Sequence, residues 1–206
     1  MSRPTVLLME ESTGEVVNAE LDMDIGPHDL EVLESIWGPL RREAARRLAK
    51  EHGPESVPQH WQWDWRRKGP LLRYPTFRCM AIRYEEELHG IVLVDADRYV
   101  SQIEPDKSKP LMYVEFLEVA PWNISFGGMK RRFTPVGPRL MEAVIRFSQD
   151  EGYHGRVGLH SLPQSEQFYE RCGMTKLKHD PKKENLRYYE MTRQQATAFL
   201  NRGERP

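Results

Sequence analysis

The run Arg132-Phe133-Thr134-Pro135-Val136-Gly137-Pro138-Arg139, inside the stretch from Leu111 to Leu159, constrains this chain more than any other feature. Before it, Leu111–Ala120 is rich in β-branched and aromatic residues and reads as a strand. After it, Val136, Leu140, Ala143, Val144 and Phe147 fall at helical spacing. Thr134 suits a helix N-cap, and Pro135 suits the first helical position, where a missing N–H costs nothing. Gly137 has no side chain, so a ligand can approach its backbone. A strand, a loop with flanking arginines and a glycine-containing helix start make an anion site, because a helix N-terminus offers free N–H groups and partial positive charge. A phosphorylated cofactor is the ligand class this suggests.

A second block, Leu159-His-Ser-Leu-Pro-Gln-Ser-Glu-Gln-Phe-Tyr-Glu-Arg-Cys-Gly173, sharpens the reading. With the first block, it resembles the GNAT superfamily of N-acetyltransferases. Leu117-Glu-Val119-Ala-Pro121 is similar to the family's central strand end, Arg132 to Gly137 to its acetyl-CoA loop, and Phe168-Tyr-Glu-Arg-Cys-Gly-Met174 to its Phe-Tyr-Glu-x-x-Gly-Phe element. The likeness covers about residues 79–191. The chain departs from the pattern in having Pro135 at the first loop glycine, Pro138 soon after, a long Trp122–Arg131 insertion, and Leu162 where the family commonly has Asn.

The resemblance implies an α+β, three-layer fold: a mixed, mostly antiparallel sheet with a splayed strand pair and helices on both faces. It implies one domain over 1–206, with a divergent acceptor-side part at 1–78 and a cofactor-binding core at 79–191. Acetyl-CoA is then the co-substrate. Leu117 and Val119 would lie along its pantetheine arm, and Arg132, Phe133, Thr134, Val136, Gly137 and Arg139 would hold its pyrophosphate. Tyr169 matches the tyrosine that protonates the departing thiolate. Glu118 is the candidate base, since a regular strand turns it away from Leu117 and Val119; Glu115 and His160 are its rivals. The reaction would be direct attack by a small-molecule or peptide amine, with a CoA-binding module or an RNA-linked amine as alternatives.

Composition sets the outer bounds. With 206 residues, 39% hydrophobic and 30% charged, the chain can bury a real core. No apolar run approaches the ~18–20 residues of a membrane span, and Met1–Met9 is too short for a secretory signal. Cys79 and Cys172 make neither a disulfide framework nor a metal-ligand spacing, so no metal is expected and a reducing cytoplasm is the natural compartment. A net charge of −1 argues against a broad nucleic-acid surface. The doublets Arg41-Arg42 and Arg46-Arg47 read as solvated faces. A homodimer stays open.

Elsewhere, Val6–Met9 and Glu15–Val17 read as a hairpin, and Asp29 as the N-cap of a helix that Gly38-Pro39 breaks or kinks before a second helical stretch, Leu40–Glu51. His60–Trp65 alternates aromatic and polar residues like a strand, offering an aromatic wall with Asp64 placed to attract a cationic amine. Arg78–Tyr84 and Gly90–Asp95 read as a hairpin, Gly155–His160 as a strand, Ser161 as the cap of a short helix, Met174–Leu177 and Arg187–Met191 as the last strands, and Thr192–Asn201 as a terminal helix before a frayed end.

Overall fold

A computed structural model describes residues 3–124 and 130–203. The middle of the Trp122–Arg131 insertion and the last three residues of the expected frayed end lie outside them. The chain divides into two compact units, Met1–Val92 with Leu117–Gly137, and Leu93–Phe116 with Pro138–Pro206. The described residues form nine strands and four α-helices: β1 (Thr5–Glu10), β2 (Val16–Asp22), α1 (Pro27–His52), β3 (Phe77–Tyr84), β4 (Glu87–Asp95), β5 (Met112–Val119), β6 (Phe133–Thr134), α2 (Val136–Asp150), β7 (Val157–Ser161), α3 (Glu166–Arg171), β8 (Thr175–Asp180), β9 (Leu186–Met191) and α4 (Arg193–Gly203). The sheet order is β6-β1-β2-β3-β4-β5-β7-β9-β8. It is mixed, as expected: β5 and β7 run parallel, while β1/β2, β2/β3, β7/β9 and β8/β9 run antiparallel.

In the first unit the β1–β2 hairpin forms where the alternation places it, turning on Gly14 at φ +73°. The helix that follows differs from expectation. It is one helix, α1, with Pro39 inside it. Leu30, Leu33, Trp37 and Leu48 form a buried stripe on both sides of the proline. Burying that stripe outweighs the one hydrogen bond Pro39 cannot make. Its start is also earlier: Gly26 is the N-cap, Pro27 the first helical residue, and Asp29 accepts the Gly26 N–H at 2.9 Å from within the first turn. Lys50, His52 and Gly53 stop it as their chemistry suggests, with Gly53 at φ +90°.

His60–Trp65 is not a strand. Residues Gln59–Gln62 and Trp65–Arg73 are 3₁₀ turns, closed by bonds such as Trp63 N–H to His60 C=O at 3.0 Å. Trp61 and Trp65 are buried, as an alternating pattern requires, but a coiled backbone delivers them inward. The β3–β4 hairpin is tighter than its acidic turn suggests, because Glu85 and Glu86 both adopt positive φ and β4 begins at Glu87. Phe133–Thr134 pairs with the edge of β1 instead of capping α2, and the helix begins at Val136.

In the second unit, Leu140, Met141, Val144 and Ile145 of α2 are fully buried. Ser161 does not cap the short helix; its hydroxyl bonds to the Leu162 carbonyl, and a 3₁₀ turn at Pro163–Ser165 precedes α3. Gly173, at φ +85°, ends that turn of chain as expected. Thr192 and Gln195 cap α4 reciprocally, at 2.8 and 3.3 Å. On β7, a Cβ at Gly158 would stand 2.5 Å from the Tyr188 hydroxyl and 3.0 Å from Leu111 Cδ1. Gly158→Ala should therefore destabilise the protein by about 1–3 kcal/mol, the usual cost of overpacking. Adding Tyr188→Phe should recover part of the loss; chemical denaturation of both variants checks this.

Candidate active site

Within the first unit, the centre of charge is Glu118 on β5, 2% exposed. Arg41 of α1 donates to both of its oxygens at 2.9 Å, and the Trp65 indole N–H donates at 2.6 Å. The other arm of Arg41 reaches Glu34, whose carboxylate also accepts the Trp65 backbone N–H at 3.0 Å. Arg41 is only 1% exposed, so the doublet Arg41-Arg42 is not a solvated face. Lys68 Nζ lies 5.3 and 5.7 Å from the Trp63 and Trp65 rings. Burial pushes its ammonium down to about 8, against the pull of Glu118 and Asp64. Burial and the neighbouring Arg41 charge push His60 down to about 4. Burial drives the Glu118 carboxyl up, while Arg41 and Trp65 hold it down. Three hydrogen bonds from two donor nitrogens, Arg41 Nη1 and Trp65 Nε1, on one sealed carboxylate suit a structural anchor better than a proton acceptor that meets substrate.

Another expectation changes here. Asp64 does not wait for an amine: it pairs with Arg66 at 2.8 Å and caps the 3₁₀ turn through the Arg66 N–H.

The loop of the same unit is built on Asn123. Its Oδ1 accepts the Phe133 N–H at 2.9 Å and its Nδ2 donates to the His89 carbonyl at 3.1 Å. Trp122 donates to His89 Nδ1 at 3.2 Å, so the imidazole proton sits on Nε2, and burial lowers the ring's basicity. Phe133 packs edge-on against His89 and Tyr84, 2% exposed. Arg132 pairs with Glu87 at 2.6 Å and Glu85 at 3.7 Å. Thr134 is taken into the sheet edge, and Val136 and Gly137 open the helix. Leu117 and Val119 are half-buried on β5.

In the second unit, Arg139 pairs with Glu142 at 2.8 Å. Tyr169 on α3 is 7% exposed, and burial, then the Cys172 thiol, pushes its phenol up. Its hydroxyl makes no hydrogen bond among the described residues, while its ring meets Phe168 and Tyr189. His160 Nδ1 is 2.6 Å from the Tyr113 hydroxyl, and its Nε2 is 3.3 Å from Asp180. Glu115, also on β5, faces Lys183 at 4.0 Å. Among the described residues, no group of three or more His, Cys, Asp or Glu could hold a metal ion, and no helix is long and apolar enough to cross a membrane.

Arg41, Glu34 and Tyr113 escape a reading of motifs. A signal for Arg41 exists: it sits four residues after Trp37 and seven after Glu34, on the apolar stripe of α1.

The fold recurs in solved structures at low sequence identity. An acetyltransferase of the GNAT family from Listeria monocytogenes matches with a TM-score of 0.54 and 11% identity, over 91% of this chain and 99% of that one. The PaiA N-acetyltransferase of Thermoplasma acidophilum, solved with coenzyme A, matches with 0.53 and 12%, over 85% and 99%. The aminoglycoside acetyltransferase AAC(6')-Ib, solved with coenzyme A and kanamycin, matches with 0.52 and 14%, over 87% and 98%. The fold is that of the GNAT acetyltransferases. No family model and no curated protein sequence matches the chain.

Replacing Arg41 by Met strands two buried carboxylates, and should cost about 3–5 kcal/mol in denaturant unfolding. His60 gives a pH signature. Its folded pKa lies below the unfolded value of 6.5, so its contribution is complete above pH 6.5 and is lost as pH falls toward about 4. Over that window the wild type should lose up to about 3 kcal/mol relative to His60→Gln, measured as paired denaturation curves.

Proposed function

We propose that this GNAT-fold protein transfers an acetyl group from acetyl-CoA to a primary amine by direct attack. The observation that carries the reading is Tyr169, a phenol in a largely apolar setting whose hydroxyl has no partner among the described residues. A phenol keeps its proton at neutral pH and can give it to a forming thiolate. The backbone of Leu117 and Val119 would pair with the pantetheine arm. Arg132, Phe133, Thr134, Val136, Gly137 and Arg139 would receive the pyrophosphate, with the N-terminus of the 15-residue helix α2 supplying N–H groups and partial positive charge.

The amine nitrogen attacks the thioester carbon, the carbonyl oxygen becomes an oxyanion, and the C–S bond then breaks as Tyr169 protonates sulfur. The amine must lose one proton. We assign that to Glu115 rather than Glu118, because Arg41 and Trp65 already occupy both oxygens of the sealed Glu118 carboxylate. Glu118 instead anchors β5 to α1 through Arg41. The acceptor class stays as broad as a small-molecule or peptide amine.

One observation favours a second reading, a CoA-binding module without transfer: Pro135 and Pro138 remove two backbone donors from the loop. Calorimetric titration with acetyl-CoA separates these. Micromolar binding that Arg132→Ala and Gly137→Asp both abolish, with Tyr169→Phe binding normally but losing about 10²–10⁴ in turnover, is the expected result. Binding without turnover of any amine supports the module; no binding up to millimolar concentration removes both.

A further inference from the structure

The loop proposed to hold pyrophosphate is closed at its base by a residue outside the motif. The Ala120 carbonyl accepts the Asn123 N–H at 2.8 Å, and the Trp122 carbonyl accepts the Arg132 N–H at 2.9 Å. The next residue, Phe133, gives its N–H to a side chain instead, Asn123 Oδ1, at 2.9 Å. The other end of that side chain faces β4. Its Nδ2 donates to the His89 carbonyl at 3.1 Å and lies 3.3 Å from His89 Nδ1. Asn123 is 4% exposed, and His89 is sealed. One carboxamide therefore joins β4, the turn after β5 and the first residue of β6.

The arrangement needs both ends of an amide. Oδ1 only accepts and Nδ2 only donates, and the two hydrogens of Nδ2 match the two acceptors of His89, its carbonyl and Nδ1. A flipped amide would set Oδ1 against those lone pairs and Nδ2 against the Phe133 N–H. Aspartate would keep the Phe133 bond but turn its second oxygen on the His89 carbonyl. That carbonyl is fixed in turn, because it also accepts the Ala120 N–H at 3.0 Å. The Trp122 indole N–H shares His89 Nδ1 at 3.2 Å, so it supports the ring without holding Phe133.

Phe133 stands three residues before Val136, where α2 begins. Where the first N–H groups of a helix point is set by the backbone that leads into it. On one side that backbone is held by β1, which pairs Glu10 with Phe133 and Met9 with Thr134, and Glu11 N–H reaches the Arg132 carbonyl at 2.9 Å. Asn123 supplies the other side. The Phe133 N–H is spent on that bond. The first-turn N–H groups of Val136 and Gly137, which have no partner within the helix, are left for an anion.

We propose that Asn123 is the positioning residue of this loop: its carboxamide holds the Phe133 backbone so that the Val136 and Gly137 N–H groups meet the anion in place. That the anion is the acetyl-CoA pyrophosphate rests on the acetyltransferase reading; the hold on the loop does not. Asn123 touches no reacting atom, so its loss should weaken cofactor binding and spare the chemical step.

The test compares the full chain with Asn123→Ala, with Asn123→Leu, which keeps the volume, and with Trp122→Phe, which removes the indole donor and leaves the Phe133 bond. Amide hydrogen exchange, read residue by residue by NMR, should quicken at Phe133 in both Asn123 variants. The increase should exceed that at Ile82 and Val92, which report general stability, by about tenfold, the worth of one buried hydrogen bond. The KM and Kd for acetyl-CoA should rise about tenfold in both, with kcat within about twofold of wild type. Trp122→Phe should stay near wild type in each reading. Exchange at Phe133 that rises only in step with Ile82 and Val92 overturns the proposal. So does an unchanged acetyl-CoA affinity beside a freed loop, or an equal effect of Trp122→Phe. If the wild type binds no acetyl-CoA while Phe133 is freed in both Asn123 variants, the acetyltransferase reading fails and the hold on the loop stands.

Discussion

A guanidinium taken out of water organises the first unit. Moving Arg41 to 1% exposure costs several kcal/mol unless its donors are answered. Glu118 answers with two oxygens and Glu34 with one, so α1 and β5 cannot shift without breaking charged hydrogen bonds. The same requirement explains why α1 continues through Pro39: Glu34 and Arg41 lie on either side of it and must point the same way. One guanidinium between two carboxylates leaves an excess negative charge. Lys68, laid against Trp63 and Trp65, supplies the balancing cation. Such a network returns little net stability against a hydrophobic substitute. Its effect is to fix one arrangement of the helix, the strand and the tryptophan-rich turns.

Local pattern made much of the architecture readable. Helical spacing in α2, glycine stops at Gly53 and Gly173, and the β1–β2 alternation all depend on neighbours in sequence. Three block motifs in order then pointed to the GNAT fold. The misreadings share another cause. Trp61, Trp63 and Trp65 alternate like a strand, but 3₁₀ turns bury Trp61 and Trp65 through bonds no composition announces. Arg41 looked solvated because its partner Glu118 is 77 residues away. Thr134 and Pro135 looked like a helix start until β1, from the far end of the chain, claimed Phe133 and Thr134 as an edge pair. Of the site, the residue types on the motifs were legible; the hydrogen bonds that decide their roles were not.

In the loop proposed to hold phosphate, departures from the motif bear on the manner of binding more than on its possibility. Pro135 and Pro138 remove donors, yet Val136 and Gly137 still begin a helix of 15 residues. Arg132 and Arg139 are already paired with Glu87 and Glu142, at side-chain exposures of 39% and 23%. Pairs this exposed are worth about 0–1 kcal/mol. If the proposed reading holds, a diphosphate, with more charge than one glutamate, would displace such a pairing. Asn123 and His89 keep the Phe133 backbone fixed meanwhile, so only side chains need to rearrange.

Two glutamates on one strand, three residues apart, illustrate what separates an anchor from a base. Sequence favours Glu118, which lies inside the motif. Exposure favours Glu115. Glu118 is sealed and already accepts three hydrogen bonds, two of them from a buried guanidinium, and must give up those partners before it can take a proton from substrate, even though burial raises its own pKa. Glu115 keeps contact with solvent and meets the Lys183 ammonium at 4.0 Å, the outer limit of an ion pair. Position in a motif nominates a residue; the partners that its lone pairs already have determine which chemistry is left to it.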